Sequence, residues 1–178
     1  MSKITYPKEV KLFIGILTAF EDLLTPLKET LQAEYGEIDL ESPLFDFTQT
    51  AYYETEMGRN IKKKFYSFKN LIDPGVIAGI KIRTNEIEEI FAKKFPKGVS
   101  RPVNLDPGYI EASKVVLASA KNFSHRIYVE KGIYAEITLH FSKGGFREHE
   151  WTFPDYKTEG YQKFLKITRD EYMRQVSL

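Results

Sequence analysis

Apolar positions along the chain follow two spacings. Val10 to Leu17 (VKLFIGIL) is a nearly unbroken apolar run of strand length, which reads as a strand buried on both faces. Phe20, Leu23, Leu24, Leu27 and Leu31 then recur at helical spacing behind the capping-box sequence Thr18-Ala19-Phe20-Glu21, and Gly36 is a natural helix stop. Pro26 belongs in a first turn, so a restart with Thr25 as N-cap is the alternative boundary. Glu37 to Phe47 reads as extended, with Pro43 suggesting an edge, and Lys63 to Ile72 reads as a strand. Asp73-Pro74 opens a helix that carries Ile80, Ile87 and Phe91 on one stripe and ends near Phe95. Arg101 to Leu105 predicts a short strand and Asp106-Pro107-Gly108 a turn. Ser113 to Ala120 fits a strand or a buried helix, and its paired valines favour the strand.

Two hairpins follow. Three-residue loops Glu130-Lys131-Gly132 and Lys143-Gly144-Gly145 would pair Val129 with Ile133, Arg126 with Glu136, His140 with Glu148 and Ile137 with Trp151. These registers place Ile127, Val129, Ile133, Ile137, Leu139, Phe141, Trp151 and Phe153 on one face. Arg126, Tyr128, Glu136, Thr138, His140, Glu148 and Glu150 take the other, and a one-residue slip would mix the two sets. Thr158 caps a last helix with Tyr161, Phe164, Leu165, Tyr172 and Val176 inward. With no repeat or linker, residues 1–178 read as a single α+β domain. The expected fold is a mainly antiparallel, ferredoxin-like (split βαβ) sheet extended by C-terminal hairpins, with three main helices mostly on one face.

Charge and composition narrow the chemistry. The 26 basic and 25 acidic residues nearly cancel, so no global field draws the chain to nucleic acid or an anionic membrane. The absence of cysteine removes disulfides, thiolate nucleophiles and zinc–sulfur sites. No signal-peptide pattern or membrane-length apolar run occurs, and the expected location is cytoplasmic. There is no P-loop, GxGxxG, GxSxG or HExxH; Gly58-Arg59-Asn60-Ile61-Lys62-Lys63-Lys64 has the lysines of a phosphate loop without its second glycine.

Polar residues at alternate strand positions form the candidate site: Asn104, Asp106, Lys114, Arg126, Glu136, Thr138 and His140. His125 is a candidate general acid or base, or a hydrogen-bonded core histidine. Arg126 opposite Glu136 is a cross-strand ion pair or a fork for phosphate or carboxylate. The loop holding Asp46, Tyr52, Tyr53, Glu54 and Glu56 offers oxygens for a divalent ion, or is a solvated acidic loop. His140 and His149 fall on opposite faces in the register above, which argues against a shared metal. Leu12-Phe13-Ile14-Gly15-Ile16-Leu17 and Lys64-Phe65-Tyr66-Ser67-Phe68 resemble the two strand signatures of the RNA recognition motif. That resemblance would have Phe13, Tyr66 and Phe68 stack bases, with Arg59 and Lys62 to Lys64 drawing phosphates.

Several further segments occur together: Val10-Lys11-Leu12-Phe13-Ile14-Gly15, Phe45-Asp46-Phe47-Thr48, Tyr52-Tyr53-Glu54-Thr55-Glu56-Met57-Gly58, Arg83-Thr84-Asn85-Glu86, Asn104-Leu105-Asp106-Pro107-Gly108-Tyr109, Ser124-His125-Arg126-Ile127-Tyr128, Gly132-Ile133-Tyr134-Ala135-Glu136 and Trp151-Thr152-Phe153-Pro154-Asp155-Tyr156. In this set the chain resembles domain-of-unknown-function family 4416. Members of that family are often labelled "GTP-binding protein". The chain has no guanine-reading NKxD element, since Asn70-Leu71-Ile72-Asp73 carries leucine in place of the lysine.

The resulting expectation is a domain that binds a small anionic ligand, a nucleotide or phosphate metabolite. Arg126, Lys114, Asn104, Tyr53 and Glu136 would bind the ligand, and His125 and Asp106 would be catalytic. Glu56 and Asp106 would hold a divalent metal in a hydrolase or transferase. Enzymatic activity itself is left open, as is oligomeric state. The alternative is a non-enzymatic module that binds RNA or a protein partner through its sheet.

Overall fold

The computed structural model describes residues 3–48 and 53–177. Tyr52, one of the acidic-loop candidates, lies outside them. Among the described residues the chain forms an α+β fold with a nine-stranded sheet and four α-helices. The elements in chain order are β1 (Val10–Thr18), α1 (Leu24–Tyr35), β2 (Ile38–Glu41), β3 (Phe45–Asp46), α2 (Glu54–Met57), β4 (Lys62–Ile72), α3 (Ile77–Lys94), β5 (Val103–Ile110), β6 (Lys114–Ser119), β7 (Ile127–Glu130), β8 (Ile133–Ser142), β9 (Gly145–Glu148) and α4 (Glu159–Val176). The strands run in the order β2-β4-β1-β5-β6-β8-β7, with β3 beside β4 and β9 beside β8. The pairs are antiparallel.

β1 lies in the interior of the sheet and is buried along its whole length, which explains its unbroken apolar run. Leu12, Ile14 and Ile16 pack with Leu27 and Leu31 of α1 and with Ile80, Ile87 and Phe91 of α3. Phe13 on the opposite face packs with Phe65, Leu117, Leu139, Phe164 and Leu165. Helices therefore cover both faces: α1 and α3 on one, α4 on the other. This corrects the expectation of helices mostly on one face. Phe65 anchors the α4 side, stacked on Phe164 at 5.5 Å and edge-on to Tyr161 at 4.9 Å between ring centres.

Two details of the hairpins differ from the pattern-based register. Both loops are two-residue turns, Lys131-Gly132 and Lys143-Gly144, with φ of 49° and 79° and of 50° and 80°. Positive φ at both central residues is the turn whose twist matches the flanking strands. In the first hairpin a bulge near Val129 absorbs the change, and Ile127 still faces Ala135, as the longer loop requires. In the second hairpin the register moves by one, so Leu139 faces Glu148 and His140 faces Arg147. A bulge at Thr138 resolves the conflict. Val115 pairs with Leu139 and Val116 with Ile137, leaving Thr138 as the extra residue. Glu136 and Leu139 then share one face, which strict alternation forbids.

The Asp106-Pro107-Gly108 turn expected from composition is not a turn; β5 runs straight through it. Gly108 allows the close approach there, because a Cβ would stand 2.4 Å from the Val116 carbonyl oxygen.

Lys11 is a buried ammonium at the end of β1. Its Nζ donates to Asp39 Oδ2 at 2.6 Å, to the Phe68 carbonyl at 2.9 Å and to Gln175 Oε1 at 2.9 Å, tying β1, β2, β4 and α4 together. Removing one partner of such a pair strands the other charge in the interior. Asp39→Ala is therefore expected to lower unfolding free energy by about 3 kcal/mol, while Lys11→Met costs less because Asp39 still reaches water. Urea denaturation of both variants checks this, and an equal loss in the two would contradict the asymmetry.

Candidate functional site

β5 pairs with β6 only over Gly108–Ile110, so the first half of β5 and the last half of β6 diverge. The gap is the floor of a cavity of about 1020 Å³. α3 walls one side, the segment Phe153–Tyr156 walls the other, and Arg126 with Glu136 closes the β8 end. Small-molecule sites commonly occupy about 300–1,000 Å³.

An open strand edge needs partners for its backbone groups. α3 supplies them. The Leu105 N–H donates to Glu88 Oε1 at 2.7 Å, and the Leu105 carbonyl accepts from Lys81 Nζ at 2.7 Å. Pro107, two residues on, turns the same way and has no N–H to satisfy. Glu88 Oε2 also takes the Arg101 guanidinium, through Nε at 2.9 Å and Nη2 at 2.8 Å.

Asp106 sits at the centre of this wall. Its Oδ2 accepts from Asn104 Nδ2 at 2.8 Å and from Lys63 Nζ at 3.3 Å, and its Oδ1 lies 4.0 Å from Lys81 Nζ. Lys63 reaches it from β4, across β1. The path exists because the intervening residue is Gly15, where a Cβ would stand 2.9 Å from both Lys63 Cε and Nζ. Burial alone would raise the Asp106 carboxyl; the ammoniums of Lys63 and Lys81, the Lys63 hydrogen bond and Arg101 outweigh it and hold the group below the usual aspartate range.

Asp155 in the facing wall behaves oppositely. It is buried, and burial pushes its carboxyl up; Lys63 offsets this in part, the Asp106 charge adds to it, and two backbone N–H groups moderate it. Glu88 is also pushed up by burial, against the pull of Arg101 and Lys81. Among the described residues the buried Tyr156 hydroxyl has no hydrogen-bond partner, and burial with the charges of Asp155, Asp106 and Glu136 raises its pKa. One cavity thus holds a carboxyl biased towards its protonated form and another biased towards the carboxylate.

At the β8 end, Glu136 is buried. Its Oε2 accepts from Arg126 Nε at 2.7 Å and bonds His125 Nε2 at 2.9 Å, and its Oε1 accepts from Thr138 at 3.2 Å. Arg126 Nη1 donates to Ser119 Oγ at 2.9 Å and to the Lys121 carbonyl at 2.8 Å. The ion pair expected across the hairpin is present, but in the interior and not on the wet face.

Asn104, Asp106, Arg126, Glu136, Tyr53 and Glu56 all line the cavity. His125 stands behind Glu136, stacked on Trp151, and is not part of the lining. Lys114 pairs with Glu111 and also lies outside the lining. Thr138 bonds Glu136 but does not line the cavity, and His140 lies beyond the bulge, so the predicted polar stripe is not continuous. Among the described residues no group of three or more His, Asp or Glu stands in position to hold a metal ion. Phe13, Tyr66 and Phe68 are core residues, so they offer no surface for stacking on bases.

Pattern reasoning missed Lys81, Glu88, Arg101, Asp155 and Tyr156, and gave Lys63 only the role of drawing phosphates on an RNA-binding surface. Two signals were present. Lys63 shares strand parity with Phe65, which is the buried side. Lys81, Thr84 and Glu88 stand at i, i+3 and i+7 on α3, a polar stripe inside a helix that packs on the sheet.

The model of a domain of unknown function (DUF4416) matches residues 8–172. The chain belongs to that family. All the cavity residues discussed fall inside the matched span. No curated protein and no solved structure matches the chain. The cavity geometry itself defines the chemistry open to this family member.

Two measurements probe that geometry. Gly15→Ala should push the Lys63 head group away from Asp106 and crowd Phe65, costing about 1–3 kcal/mol. Carboxyl NMR should show the Asp106 titration moving up; an unmoved titration would mean that Lys63 does not control it. Asp155 has a raised folded pKa, so its stabilising effect is present below the ordinary value of 3.8 and is lost as pH rises through the folded value. Asp155→Asn should match or exceed the wild type in urea denaturation at about pH 7 and lose any advantage towards about pH 3. A deficit that is the same at both pH values would contradict this assignment.

Proposed function

We propose that the cavity binds a small anionic ligand, a nucleotide or phosphate metabolite, in a cytoplasmic protein. One observation carries the reading: two buried ammoniums, Lys63 and Lys81, converge on the single carboxylate Asp106. Arg101 with Glu88 and Arg126 with Glu136 are matched pairs, so the two ammoniums share Asp106 at this wall, with Asp155 facing them from the other. An incoming phosphate or carboxylate would meet both ammoniums at little reorganisation cost, and the Tyr156 hydroxyl, without a hydrogen-bond partner among the described residues, supplies a further donor. Asn104, Arg126 and Glu136 shape the same wall, and Tyr53 and Glu56 the mouth.

The opposed shifts of Asp106 and Asp155 suit proton transfer, with Asp155 giving a proton and Asp106 holding charge and geometry. Hydrolysis or group transfer at phosphorus is the chemistry this set favours. His125, fixed to Glu136, orients that wall. Glu56 and Asp106 are the carboxylates at which a divalent ion carried by the ligand would be held. The strand order β2-β4-β1-β5, with α1 and α3 on one face, supports reading residues 10–110 as a split βαβ unit of ferredoxin-like type, extended by the C-terminal hairpins.

Thermal unfolding with inorganic phosphate, ATP, GTP and sugar phosphates, each with and without magnesium, tests the reading. At least one should raise Tm by several degrees, corresponding to about 2.7 kcal/mol at a hundredfold excess over Kd. Lys63→Met and Lys81→Met should each abolish the shift, and Lys114→Met should keep it. No shift with any of these anions, or a shift that survives both cavity substitutions, would refute it.

A further inference from the structure

On the far side of the Thr138 bulge lies a second cluster that the cavity does not use. The register of the second hairpin puts His140 on β8 beside the turn that follows β9, and His149 opens that turn. His140 Nδ1 lies 3.3 Å from His149 Nε2. Two nitrogens each about 2.05 Å from one tetrahedral ion stand about 3.3 Å apart. The ring centres are only 4.9 Å apart, closer than a straight N–H···N bond of that length would leave them. The two lone-pair directions are therefore inclined and not collinear, as two ligands of one ion require.

The scaffold holds the His149 ring in place beside β8. Thr152 Oγ1 accepts the His149 N–H at 2.8 Å and donates to the Thr138 carbonyl at 2.6 Å. Trp151 Nε1 donates to the Ile137 carbonyl at 2.9 Å. The turn is thus pinned to the bulge. Trp151 then stacks on His149, at 4.8 Å and 4° between planes, which sets the orientation of that imidazole.

We propose that His140 and His149 form a binding site for one divalent transition-metal ion of the class that prefers imidazole: zinc, copper or nickel. Water completes the coordination, since among the described residues no third His, Asp or Glu joins the pair. The ion would lock the 149–152 turn to β8. The same Trp151 stacks on His125, at 5.3 Å, and His125 bonds Glu136 in the cavity wall, so the ion and the cavity share one rigid connection.

Trp151 is the single tryptophan of the chain, so it reports on the site directly. Titrating the full-length, untagged protein with copper(II) should quench its fluorescence by more than half, saturating at one equivalent. Zinc(II) should compete the quenching away. His140→Gln and His149→Gln should each weaken it at least tenfold while leaving the metal-free Tm unchanged. A second readout needs only the wild type: one equivalent of zinc(II) should shift the imidazole NMR signals of His140 and His149 and leave those of His125 in place. Absent quenching, quenching with the same midpoint in both variants, or zinc shifts that spare the pair or fall equally on all three histidines would overturn the proposal.

Discussion

The constraint on which the rest depends is the unpaired edge of β5. A strand that loses its neighbour exposes backbone donors and acceptors that cannot be left bare in an interior. Leu105 finds its partners in two charged side chains of α3, Glu88 and Lys81. Burying those charges imposes further requirements. Glu88 takes up Arg101, and Lys81 lies beside Asp106, which in turn draws Lys63 over Gly15. Each step follows from the one before, because a buried charge is tolerated only with a partner. The cavity is the opening in the sheet; its polar lining is what makes that opening stable.

The same network explains why two aspartates in one space titrate in opposite directions. Asp106 has cations within reach, and they outweigh its burial. Asp155 faces them from the other wall with burial dominating and the Asp106 charge adding to it. The difference arises from placement alone, since the two side chains are chemically identical. Lys63 links them: it forms the ion pair with Asp106 and lowers Asp155, and it sits over the rings of Phe65 and Tyr156 at 5.3 and 5.7 Å. Aromatic faces and a carboxylate are favourable neighbours for a buried ammonium.

The elements themselves were largely legible in the chain. The apolar run of β1, the stripes of α1, α3 and α4, the Asp73-Pro74 helix start and the glycine turns all appear where local chemistry puts them. Among candidate residues, Asn104, Asp106, Arg126, Glu136, Tyr53 and Glu56 reach one cavity. His125 and Lys114 do not line it. The errors have physical causes. Asp106-Pro107-Gly108 has turn composition but lies in a strand, because an open edge tolerates the proline and a close approach needs the glycine. The single apolar face assigned to the hairpins does not hold across Thr138, because one extra residue inverts the alternation: Leu139 is buried as expected, while Ile127 and Ile137 are exposed and Glu136 is buried.

Local pattern by itself determined where the long strands and helices lie, which stripes of α1, α3 and α4 are apolar, and that cysteine and phosphate-loop chemistry is absent. These depend on spacing and residue type within a few positions. Only the tertiary structure decided that the sheet opens between β5 and β6, that Lys63, Lys81 and Asp155 meet Asp106, and that His140 lies against His149. Those outcomes rest on contacts between residues tens of positions apart, and on a one-residue bulge whose preference comes from fitting two hairpins at once.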